Sequence, residues 1–62
     1  MIIKTRKIEP FNKKELYLQI YKGKYCIGLM DEHTCKVEIL ISDISDFDEA
    51  LDKFEYLYRK LK

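Results

Sequence analysis

Three side chains in this 62-residue chain have the chemistry to bind a soft metal or to act as nucleophile and base, namely Cys26, His33 and Cys35. A structural zinc site needs four such ligands in a closed tetrahedron, usually with two supplied as a close Cys pair. Here His33-x-Cys35 offers two at most, Cys26 alternates onto a different face, and no CxxC pair completes the set. Neither a metal nor any other cofactor is expected. A His33/Cys35 catalytic pair would need a water-excluding pocket, an orienting group and oxyanion donors. A turn beside Asp31 and Glu32 provides none of them. The acidic cluster Asp43, Asp46, Asp48, Glu49 and Asp52 lacks the glycine and terminal glutamate of a calcium loop. With 2 glycines the chain cannot spell a phosphate-cradling loop. The expectation is a protein that is not an enzyme, with no catalytic residue, no metal ligand and no small-molecule substrate.

The more telling constellation is Tyr17, Gln19 and Tyr21 at alternate positions, with Lys14, Lys22 and Lys24 close by in sequence, Lys4 and Lys7 on a neighbouring segment, and Met30 further on. Aromatic rings and lysines on one sheet face suit two kinds of partner. Tyrosine serves as a stiff amphipathic anchor in protein interfaces, and rings interleaved with cations hold single-stranded DNA or RNA by stacking and phosphate contact. Against the second stands a net charge of only +1. Tyrosine also favours strands whatever the function.

Four strands and a helix must position these residues. Ile2 to Ile8 alternates imperfectly and reads as an edge strand that Pro10 ends. From Lys14 to Lys22, Leu16, Leu18 and Ile20 share one face, and Tyr17, Gln19 and Tyr21 the other. Lys22-Gly23-Lys24 is a hairpin turn, leading to Tyr25, Ile27 and Leu29 in alternation with Cys26, Gly28 and Met30. After the polar turn Asp31-Glu32-His33-Thr34, Cys35, Val37, Ile39 and Ile41 alternate with Lys36, Glu38 and Leu40, and the two cysteines read as small hydrophobes on neighbouring strands. The period then changes. Phe47, Leu51, Phe54, Tyr58 and Leu61, widened by Ala50 and Leu57, form the stripe of an amphipathic helix. Ser45 with Asp48, or Asp46 with Glu49, would open it as a capping box, and its acidic start and basic end suit the helix macrodipole. The predicted fold is α+β: a four-stranded antiparallel meander sheet with one C-terminal amphipathic helix packed on one face (ββββα), all in a single domain over residues 1–62. On the outer face Tyr17, Tyr21 and Met30, joined by Cys26 and Leu40, would form an apolar patch of the kind that marks a partner site.

Composition agrees with a folded domain, at 47% hydrophobic and 13% aromatic residues. The apolar run at Met1-Ile2-Ile3 is too short for a signal-peptide core, and no run approaches the ~20 residues of a membrane span, so a cytoplasmic protein without membrane attachment is expected. Charge is split between the halves, with seven cations against two acids in residues 1–30 and five against nine in residues 31–62. Such asymmetry favours self-pairing or an oppositely charged partner. A core this small also gains from association, which points to a homodimer.

The stretch Lys24-Tyr25-Cys26-Ile27-Gly28-Leu29, followed by Ile41-Ser42-Asp43-Ile44-Ser45 and an acidic amphipathic helix, resembles small uncharacterised proteins of low-GC Gram-positive bacteria and their phages. The order of four strands then a helix is also similar to the single-stranded-DNA-binding coactivator fold, whose members dimerise. The resulting expectation is a protein-binding module, a regulator or inhibitor of a larger bacterial protein, using Tyr17, Gln19, Tyr21, Lys22, Lys24 and Met30. The alternative is single-stranded nucleic-acid binding through the same residues.

Overall fold

The computed structural model describes residues 1–9 and 14–61. Strands β1 (Ile2–Glu9), β2 (Lys14–Tyr21), β3 (Lys24–Asp31) and β4 (Lys36–Ile44) form one antiparallel sheet in the order β1-β2-β3-β4, and α1 (Phe47–Leu61) follows. This is the ββββα meander that the two periodicities predict. Pro10, the expected terminator of β1, lies outside the described residues.

Each turn has a local cause. Lys22 and Gly23 both take positive φ, 53° and 77°, which is the backbone of a two-residue hairpin whose twist matches its strands. Between β3 and β4 the Asp31 carboxylate accepts the N–H groups of His33 (2.9 Å) and Thr34 (3.3 Å), and the Asp31 carbonyl accepts that of Cys35. Cys35 closes this turn at φ 61°. At the head of α1 the Glu49 N–H donates to Asp46 Oδ2 at 3.1 Å, so Asp46 is the cap and the Asp46/Glu49 register is the one adopted.

Leu16, Leu18, Ile27, Ile44, Ala50 and Phe54 form the core, with Leu16, Leu18, Ile27, Ala50 and Phe54 fully buried. The inward turn of Leu16 and Leu18 is the expected one. Along β1, Lys4 and Arg6 share this inner face and reach α1, where both bind the Glu55 carboxylate: Lys4 Nζ at 3.0 Å and Arg6 at 3.2 and 3.1 Å to its two oxygens. Their charged groups also lie over aromatic rings, with the Lys4 ammonium 5.6 Å from the Phe54 ring centre and the Arg6 guanidinium 4.1 Å from that of Tyr58. Lys4 therefore belongs to the helix side and leaves the outer-face group that the sequence offered.

Strand β4 departs from simple alternation. Ile27 pairs with Ile41 but Gly28 with Ile39, so Leu40 is an extra residue, and a second bulge lies where Tyr25 pairs with Ile44, with Asp43 at φ 61°. As a result Leu40 and Ile41 both pack on the core. The expected place of Leu40 on the outer face is thus corrected: Val37 and Ile39 take the outer face, so alternation turns Leu40 inward, and the inserted residue brings Ile41 to the same side.

Candidate functional site

The helix covers one side of the sheet only. Among the described residues no element packs on the other side, and the face carries Ile2, Thr5 and Lys7 from β1, Glu15, Tyr17, Gln19 and Tyr21 from β2, Lys24, Cys26, Gly28 and Met30 from β3, and Val37 and Ile39 from β4. Two layers of exposure divide it. Tyr17 is only 6% exposed although no helix covers it, because its ring lies across its cross-strand partner Gly28. A Cβ at residue 28 would overlap the Tyr17 ring and hydroxyl. The glycine is the slot in which the ring lies. Burial pushes the Tyr17 phenol above its ordinary pKa, with the neighbouring Cys26 thiol adding to the effect. Cys26 is itself buried and accepts a hydrogen bond from Gln19 Nε2 at 3.3 Å.

Above this floor stand the presented side chains. Tyr21 is 64% exposed, Val37 55% and Ile39 51%, while Met30 is half-buried beside Val37, its cross-strand partner. At the end of the face nearest α1's start, a cavity of about 440 Å³ is lined by Gln19, Tyr21, Lys24, Tyr25, Cys26, Ile39, Ser42 and Asp43. Its walls are mainly apolar, and Lys24 and Asp43 place opposite charges in its lining. Ser42 and Asp43, at the second bulge of β4, line it on one side, and Tyr21 and Lys24, which flank the Lys22-Gly23 turn, on another. Lys22 is exposed and holds its ammonium 5.4 Å from the Tyr21 ring centre.

The chain matches no protein-family model, no curated protein and no solved structure.

Of the six residues singled out from sequence, Gln19, Tyr21 and Lys24 meet around the cavity and Lys22 flanks it. Tyr17 forms the floor next to it, and Met30 lies towards the opposite end of the sheet, in the row of Glu15 and Val37. Val37, Ile39 and Ser42 were not singled out, and Asp43 only as a member of the acidic cluster. Alternation alone placed Val37 and Ile39 with Ile41, which the bulge sends to the core. The remaining chemistry-bearing residues stay apart. His33 and Cys35 sit exposed in the β3–β4 turn, Cys35 so correcting the strand position expected for it, and Cys26 is in the row of Gln19. Among the described residues no three His, Cys, Asp or Glu side chains gather as a metal site would require. No helix of the described residues is long and apolar enough to cross a membrane.

Proposed function

We propose that the protein is a protein-binding module, a small regulator or inhibitor of a larger bacterial protein, and that the uncovered sheet face is its recognition surface. The observation that carries this reading is the pairing of three exposed apolar side chains, Tyr21, Val37 and Ile39, with a mainly apolar cavity on a face that none of the other described residues covers. Contiguous exposed apolar surface of this kind marks interaction sites. The long extents of the fold, 33 and 22 Å, bound a face of the size each partner gives to a standard interface, about 800 Å². The fitting partner presents an aromatic or branched apolar side chain to the cavity and a carboxylate to Lys22 and Lys24. Tyr21 is the central anchor, while Tyr17 supports the floor without offering a ring face.

That last point weighs against nucleic acid. Stacking a strand of bases needs a row of open rings, and of Tyr17 and Tyr21 only Tyr21 is open. A photo-crosslinking amino acid placed at position 39 or 21 in the source cells tests the reading, with position 56, exposed on α1, as control. One defined, nuclease-resistant protein adduct from 39 and 21, absent from 56, is the expected result. Adducts to nucleic acid, or the same adducts from all three sites, would overturn it.

A further inference from the structure

The two edges of the sheet are built differently, and the difference identifies an occupant for one of them. An open strand edge is a template for another strand unless something blocks it. β1 is blocked. It carries bulges near both ends, and its central residues are Lys4, Thr5, Arg6 and Lys7. Antiparallel pairing of β1 with its own copy centred on any of these four residues sets cation against cation, Lys4 opposite Arg6 if centred on Thr5. β4 has no such protection over Lys36, Val37, Glu38 and Ile39, all four of them exposed.

A strand that pairs antiparallel with its own copy across a two-fold axis normal to the sheet must place one residue opposite itself, since directly opposed residues share a face. Four centres are available before the bulge, and centring on Lys36 opposes two ammonium groups. Centring on Glu38 opposes two carboxylates. Centring on Ile39 runs the bulged residues Leu40 and Ile41 against straight strand. Centring on Val37 sets Val37 against Val37 on the outer face and creates two reciprocal pairs, Lys36 with Glu38 of the second copy and Glu38 with Lys36. Neither residue is used in an ion pair within the chain among the described residues.

We infer that the chain forms a two-fold homodimer in which the β4 edges pair antiparallel about Val37, joining the two sheets into one of eight strands. The partner is a second copy of this chain, selected by the self-complementary order Lys36-Val37-Glu38. The pairing is short, because Cys35 on one side and the bulge on the other turn the backbone away, so the dimer is a weak one that concentration controls. The outer faces remain open and lie side by side, which makes the inference independent of what those faces bind.

Sedimentation equilibrium of the full chain tests it. Lys36→Glu and Glu38→Lys should each raise the dimer dissociation constant on the order of tenfold or more, since two attractive cross-strand pairs become two repulsive ones. The double exchange Lys36→Glu/Glu38→Lys should restore it. Circular dichroism checks that each variant is folded, as expected for exposed positions. Register is read separately by oxidation. Val37→Cys in a Cys35→Ser background should form a disulfide-linked dimer, whereas the native Cys35, opposite Ile39 and far from its own copy, should not. A chain that stays monomeric to millimolar concentration overturns the inference, as does a dimer that ignores both charge reversals. A dimer lost on Ile39→Lys but not on Lys36→Glu would assign self-association to the faces and overturn it equally.

Discussion

Tyr17 and Gly28 act as one unit, and substitutions at either should show it. Removing the ring by Tyr17→Ala strips the cover from the β2–β3 floor and is expected to cost roughly 3 kcal/mol, within the range for large aromatic truncations. Gly28→Ala drives a methyl into the same ring and should cost about 1–3 kcal/mol by overpacking. Urea unfolding followed by circular dichroism measures both. The double variant should be less destabilised than the sum, because the alanine at 28 meets no ring once Tyr17 is gone. Glu55 is the second residue with a measurable signature. The hydrogen bond from Lys4, then the charges of Lys4 and Arg6, hold its carboxyl below the usual glutamate pKa. A depressed folded-state value means that the unfolded chain binds the proton more readily, so the stabilisation is present above the unfolded pKa and disappears as pH falls through the folded one. Glu55→Gln should therefore lower the melting temperature at pH 7 and leave it nearly unchanged once both pKa values have been passed on the acid side. Asp31 is shifted the same way, chiefly by the His33 N–H, and remains as background in both proteins.

Turns and caps carry the predictions that belong to single elements. Lys22 holds positive φ without the backbone freedom of glycine or the tolerance of asparagine. Lys22→Asn should thus stabilise the hairpin by a few tenths to about 1 kcal/mol while removing the cation beside Tyr21. Asp46→Ala deletes the acceptor of the Glu49 N–H and should cost about 1 kcal/mol, read as a lower denaturant midpoint at unchanged slope. The elements themselves were legible because their periods are distinct. Leu16, Leu18 and Ile27 fix the buried side of the sheet by alternation, and Ala50, Leu51, Phe54, Leu57 and Tyr58 fix the helix stripe. The bulges of β4 were not legible. One inserted residue leaves the composition untouched and moves Ile41 to the face opposite Val37 and Ile39, so a strand read as inward at Ile41 puts Leu40 outward, and Ile44, a core residue, falls beyond the expected strand end. Nor could the sequence show Tyr17 enclosed, since its slot is supplied eleven positions away by Gly28 and exists only once the β2–β3 register is set. Tyr21, Lys22 and Lys24 were legible as a presented group, because a hairpin tip has nowhere else to send them.

For the molecule as a whole, a sheet covered on one side must still hold its other side flat, and the chain does so with a floor rather than a second layer. Tyr17, Cys26 and Gly28 close that floor within the sheet itself, and Tyr21, Val37 and Ile39 stand above it more than half exposed. The two sets therefore answer differently to the same kind of change. Ile39→Lys, made at a side chain half exposed and outside the core cluster, should alter unfolding free energy by no more than about 0.5 kcal/mol. Tyr17→Ala, on the same face, should cost several times more. Measured at low micromolar concentration, where a weak dimer is dissociated, this contrast isolates the monomer. If Ile39→Lys proved as damaging as Tyr17→Ala, the apolar side chains of β4 would belong to the fold's own support, and the face would have nothing to spare for a partner. If it is silent, their exposure costs the protein solubility without any return in stability, and the return must lie in what the face meets.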